Sequence, residues 1–179
     1  NSVSLRSIMV PDSSDQIIYR LAPNLDVRFQ DAPVRTNSHG MRGPETTLEK
    51  PADVYRIALM GDSFAFGWGV EEKESFATLL GEYLNQAGGI HGKKVEILNF
   101  GVPGYSTFQE TALFQNFASK FSPDAVLVFF VDNDFGLPFF IRNIGSITNE
   151  MITNNNFSKG ASSDDPEVQK RRAELVSLL

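Results

Sequence analysis

The sequence predicts an α/β fold in which βαβ units build a parallel sheet. Three observations carry that expectation. Apolar runs at residues 54–60, 93–99 and 125–131 have strand length, two stretches of helical spacing separate them, and glycine, proline or a capping residue marks each join. Strand, helix, strand, helix, strand at these lengths means right-handed crossovers between parallel neighbours.

The first strand, Arg56-Ile57-Ala58-Leu59-Met60, runs without alternation into Gly61-Asp62-Ser63-Phe64-Ala65-Phe66-Gly67-Trp68-Gly69. An unbroken apolar run of this kind belongs in a sheet with both faces covered. Gly61 permits a tight turn, and the residues after it lie at the carboxyl edge, where open α/β sheets bind ligands. A serine held there beside backbone N–H groups meets the needs of a nucleophile with an oxyanion site. The same pattern also fits an ordinary strand-to-helix turn in which Ser63 only caps the helix.

Downstream, Ser75 caps a predicted helix with Phe76, Leu79, Leu80, Tyr83 and Leu84 as one buried stripe, and Gly88 and Gly89 stop it. Residues 93–99 form the second strand, with Val95, Ile97 and Leu98 as its apolar content. It ends in Asn99-Phe100-Gly101-Val102-Pro103-Gly104-Tyr105-Ser106, a tight loop that either turns its amides outward or merely connects. Ser106 and Gln109 fit a capping box for a second helix, whose inward residues are Phe114, Phe117, Ala118 and Phe121. Pro123 and Asp124 break the chain before the third strand, which closes on Asp132-Asn133-Asp134.

Successive strands therefore deliver Ser63, Gly101 and Asn133 to one edge. A hydroxyl nucleophile, a backbone donor and an amide donor are what acyl transfer requires. Asp62, Asp132 and Asp134 keep a second reading open, metal-assisted phosphoester hydrolysis, since Mg²⁺ favours such carboxylates. That mechanism gives Ser63 and Gly101 no task. A third reading is a non-catalytic glycan-binding or assembly module.

Composition bounds these choices. The 179 residues suffice for one sizeable core, and 41% apolar with 21% charged residues is ordinary for a globular domain. A net charge of −6 argues against a nucleic-acid partner, no stretch has the length of a membrane span, and the lack of cysteine excludes disulfides and thiolate metal sites. Residues 1–50, broken by Pro11, Pro23, Pro33, Gly40, Gly43 and Pro44, predict an irregular, short-strand segment packed on the α/β domain of residues 51–179. Alternation at residues 26–29 and 34–37 suggests a small hairpin there. His39 sits in a compact polar loop, where a histidine is either a base or simply solvated.

These strand ends resemble blocks one, two and three of the SGNH hydrolases, the GDSL-type esterase and lipase superfamily. Ser63 matches the nucleophile, Gly101 within Asn99-x-Gly101-x-x-Gly104 the glycine, and Asn133 of Asn133-Asp134 the asparagine. The likeness is closest to bacterial members with an upstream Asn-Ser-x-Gly-x-Arg-Gly segment, here Asn37-Ser38-His39-Gly40-Met41-Arg42-Gly43. It implies a three-layer α/β/α arrangement with a flavodoxin-like parallel sheet. It further implies a serine esterase or acyltransferase acting on a small-molecule or glycan ester, such as an O-acetyl group. The oxyanion would be held by the Ser63 and Gly101 N–H groups and the Asn133 amide, with no cofactor and no metal.

Two features depart from the family. Val131 replaces the glycine that usually opens block three, and Asp132 adds a carboxylate. The base, an Asp-x-x-His near the C-terminus, is missing: His39 and His91 are preceded at the third position by Thr36 and Gly88. Residues 135–144 are apolar and aromatic, residues 148–165 read as a loop, and a last helix from Asp165-Pro166 with Val168, Leu175, Val176 and Leu179 on one face is still running at Leu179. The expectation is a chain that continues by a strand and a helix to its Asp-x-x-His, and that hydrolyses esters poorly or not at all as given. Asn1 in place of Met likewise suggests an upstream segment, which favours an extracytoplasmic setting, periplasmic or secreted, while leaving the compartment open.

Overall fold

Two small hairpins precede the sheet. In the computed structural model, which describes residues 2–135 and of these Asn133 and Phe135 by backbone alone, β1 (Met9–Pro11) pairs antiparallel with β2 (Tyr19–Leu21). β3 (Asp26–Phe29) pairs with β4 (Ala32–Arg35), the hairpin that the alternation at 26–29 predicts. β1 and β2 are three residues each, too short to leave a period in the sequence.

The sheet itself is parallel, in the order β6-β5-β7. β5 (Val54–Gly61) is its centre and is buried from Arg56 onward, as a strand covered on both faces must be. β6 (Lys94–Asn99) and β7 (Ala125–Phe129) flank it, with Ile57 opposite both Ile97 and Ala125. Side chains from both parts of the chain share one core: Ile8, Tyr19, Leu21, Phe29 and Val34 pack with Met60, Phe66, Phe100, Leu113 and Phe121.

The helices depart from expectation in detail. α1 (Ser63–Phe66) is a single turn. α2 (Phe76–Gln86) starts where predicted, with Ser75 Oγ accepting the Thr78 N–H at 3.3 Å. Its predicted stripe is only partly inward, however: Phe76, Leu79 and Tyr83 are exposed, Leu80 and Leu84 are half-buried, and Ala77 is the buried residue. Gly81 lies on the face turned to β6. A Cβ there would lie 3.7 Å from Ile97, so the helix rests on β6 through its smallest residues.

α3 (Thr107–Asn116) also starts at the expected residue, but the capping box does not form. Gln109 is turned into the core, where its amide donates to Ile17 O at 3.0 Å, and Ser106 Oγ has no partner. The inward residues of α3 are Gln109, Glu110, Ala112 and Leu113. The helix ends before Phe117, and a separate 3₁₀ turn, Ala118–Phe121, buries Ala118 and Phe121. The expectations for residues 136–179 lie outside the described residues.

Candidate active site

The turn after β5 is built so that its serine is relieved of capping. Asp62 is the residue that caps α1, its Oδ1 accepting the Phe64 N–H at 2.9 Å. This overturns the reading in which Ser63 serves only as the cap. Ser63 is the first helical residue, half-buried, and its hydroxyl makes one long contact, 3.4 Å to Asp62 Oδ2. Asp62 itself is almost fully buried.

The end of β6 is stitched onto the same turn. Phe100 N–H donates to Leu59 O at 2.8 Å and Val102 N–H to Gly61 O at 3.1 Å. Asn99 bridges the two segments: its amide donates to Ala65 O at 2.8 Å, and its Oδ1 accepts the Gly101 N–H at 2.9 Å. Gly101 packs directly on α1, and a Cβ there would lie 2.3 Å from the Phe66 nitrogen. Its N–H is therefore committed to Asn99, whereas the half-buried Gly104 N–H has no acceptor among the described residues.

Asn133 follows β7 in the 3₁₀ turn Asp132–Phe135. The backbone thus brings Ser63, Gly101 and Asn133 to the carboxyl ends of three adjacent parallel strands. Asp132, the extra carboxylate, is exposed. Asp134 is the buried one, and its Oδ2 accepts the Val131 N–H at 2.7 Å. Burial and then Asp62 push Asp134 up to about 6, against the lowering effect of the Val131 N–H. Asp62, Asp132 and Asp134 are thus turned to different tasks, and among the described residues no three His, Cys, Asp or Glu side chains converge as a metal site.

Neither histidine touches Ser63. His39 Nε2 lies 3.2 Å from Thr46 O, with its ring edge-on to Phe121 at 5.0 Å. His91 packs near Tyr55, at the amino-terminal end of β5 and so at the opposite edge of the sheet.

A family model of the GDSL-like lipase/acylhydrolase family matches residues 59–157, more than half of the chain. The chain belongs to the GDSL-like lipase/acylhydrolase family. Among curated proteins none matches it. The three-stranded parallel sheet with its helices is the α/β arrangement expected of an SGNH-type hydrolase, and the turn at Ser63 lies inside the matched span. Among the described residues, no helix of this GDSL-like chain is long and apolar enough to cross a membrane.

Two residues that support this candidate site were given no role from the sequence. Arg42, buried, donates to Phe66 O at 3.0 Å and to Gly67 O, Pro33 O and Val70 O, with its guanidinium 5.0 Å over the Phe66 ring. Burial lowers its pKa and Glu72 opposes that shift. The upstream Asn-Ser-x-Gly-x-Arg-Gly segment is the signal that pointed to it. Tyr19, whose hydroxyl donates to Pro103 O at 2.9 Å, ties β2 to the 99–104 loop, and Tyr105 returns a bond to Tyr19 O. No motif in residues 1–50 announces that pair.

Proposed function

We propose that the protein is a serine esterase or acyltransferase acting on an O-linked acyl ester of a small molecule or glycan, such as an acetyl group. The observation that carries this reading is the division of labour between Asp62 and Ser63, which leaves a hydroxyl uncommitted at the carboxyl end of the central strand. Ser63 Oγ attacks the carbonyl carbon while its proton passes to a base. The tetrahedral oxyanion is held by the Ser63 N–H, the Asn133 amide and an amide of the 99–104 loop. Within that loop Gly101 N–H must first leave Asn99 Oδ1, while Gly104 N–H needs no exchange. Collapse expels the alkoxide, which takes up the proton, and water or an acceptor hydroxyl then clears the acyl-serine.

His39 and His91 are engaged away from Ser63, so neither is assigned as the base. A fluorophosphonate probe tests the reading, because only an activated serine reacts quickly. The expected result is labelling of the intact protein that Ser63→Ala abolishes and His39→Ala leaves unchanged. Asn133→Ala should keep the fold and lower turnover of a short acyl ester by about 10²–10³-fold. Full turnover in Ser63→Ala overturns the proposal. A protein that folds and binds glycan but is never labelled is the non-catalytic module instead.

A further inference from the structure

Beside the Ser63 turn lie carboxyl groups that no step above uses. Glu110, on α3, is 3% exposed, and neither of its oxygens has a hydrogen-bond partner. Asp134 is equally buried, and its Oδ1 is also unpartnered, although Oδ2 holds the Val131 N–H. The groups that face them are acidic on every element: Asp134 from the turn after β7, Asp62 from the turn after β5, and Glu110 alone on α3. The phenols of Tyr19 and Tyr105 are pushed further towards neutrality by burial. Arg20, which acts on Tyr105, is paired with Asp12 at 2.6 Å. Among the described residues, no lysine, arginine or histidine acts on Glu110 or Asp134.

Carboxylates buried together without a cation are unfavourable while all are charged, and Glu110 lacks a donor as well. A proton on one of them removes the repulsion and supplies the missing donor. Asp134 already accepts a backbone N–H, which favours its charged form; Glu110 accepts nothing. We propose that Glu110 keeps its proton at neutral pH and acts as a neutral positioning residue, holding Asp134, and with it the turn that carries Asn133, against α3. Its bearing on catalysis rests on the role given to Asn133 above; the protonation itself does not.

The direction of titration agrees with the geometry. Burial, then Asp134, then Asp62 push Glu110 up to about 8 from an ordinary value of 4.5. A group raised in this way binds its proton more tightly folded than unfolded. Its contribution is complete below the ordinary value and is lost as pH climbs towards about 8.

Infrared difference spectroscopy of the intact protein reads the proton directly, through the C=O stretch of a protonated carboxyl group. At neutral pH the band should be present in the wild type, titrate away as the pH is raised towards 9, and be absent from Glu110→Gln. In Glu110→Gln the fall in melting temperature between pH 5 and pH 8 should shrink by about 5 °C. Should that variant fail to fold, Asp134→Asn must lower the midpoint of the band by about one pH unit, since a neighbouring negative charge is gone. No band at neutral pH, a band that persists in Glu110→Gln, or a midpoint unmoved in Asp134→Asn overturns the inference. If only the catalytic reading fails, Ser63 labelling is lost at every pH while the infrared band remains.

Discussion

Asp62 and Ser63 show how one residue relieves its neighbour of capping a helix. A hydroxyl at the start of a helix is normally drawn to the unpaired N–H groups of the first turn. Here the Asp62 carboxylate takes that bond, and Ser63 is left with one long contact. Asp62→Ala should therefore cost about 1 kcal/mol of stability and slow fluorophosphonate labelling of Ser63, while Asp62→Asn, whose amide oxygen still caps, should lose much less stability. Thermal melts beside labelling rates check both parts; an Asp62→Ala protein as stable as wild type would refute the capping argument. Gly101 makes the complementary point about space. Its missing side chain lets the loop after β6 lie on the Phe66 nitrogen, so Gly101→Ala must separate the two segments. The expected loss is about 2–3 kcal/mol, read as a lowered midpoint in urea at unchanged slope.

At the scale of elements, α1 has four residues and cannot stand by itself. Arg42 supplies what its length does not, taking the carbonyls of Phe66 and Gly67 at its end and tying them to Pro33 and Val70. Arg42→Lys keeps the charge but loses the planar fork, and should lower kcat for an acyl ester about tenfold with KM little changed, because α1 then wanders with Ser63 on it. An unaltered kcat would show that α1 is held by other means. The strands were legible in the sequence because an unbroken apolar run has few other uses, and β5 is buried throughout its apolar length. The faces of the helices were not. Spacing marked Phe76, Leu79 and Tyr83, but the face that meets β6 carries Ala77 and Gly81, and residues this small leave little trace in an apolar pattern. Gln109 failed as a capping partner for a similar reason, since Ile17 O, 92 positions earlier in the chain, claims its amide. At the candidate site, the positions of Ser63 and Asn133 were readable from strand ends. The engagement of Gly101 by Asn99, and the burial of Arg42 and Glu110, depend on contacts between distant segments that no single stretch records.

For the molecule as a whole, the two ends of the parallel sheet have different work. Its carboxyl edge carries the candidate chemistry, and its amino end is tied by Arg56. That guanidinium, 1% exposed, pairs with Glu96 at 2.6 Å and donates to Phe121 O at 2.7 Å and to Thr47 O at 3.0 Å. One side chain thus joins β5, β6, the approach to β7 and the segment that leads in from the hairpins. The hairpins close the opposite side: Tyr19 holds Pro103, and Phe29, Val34 and Leu21 fill a core with Met60, Phe66 and Leu113. A core shared in this way predicts that residues 51–179 do not fold without residues 1–50. Removing the segment would bare Phe66 and Phe100 and take away the bonds that Arg42 and Tyr19 make to Phe66 O, Gly67 O and Pro103 O, a loss comparable with the roughly 5–15 kcal/mol by which a domain is stable. Expressed alone, residues 51–179 should be insoluble, or should bind a hydrophobic dye and lack a cooperative melt. Residues 1–50 added in trans as a separate peptide should restore at least part of the transition. A sharp melt from residues 51–179 alone, with Ser63 still labelled, would mean that the hairpins are an appendage rather than a wall of the core.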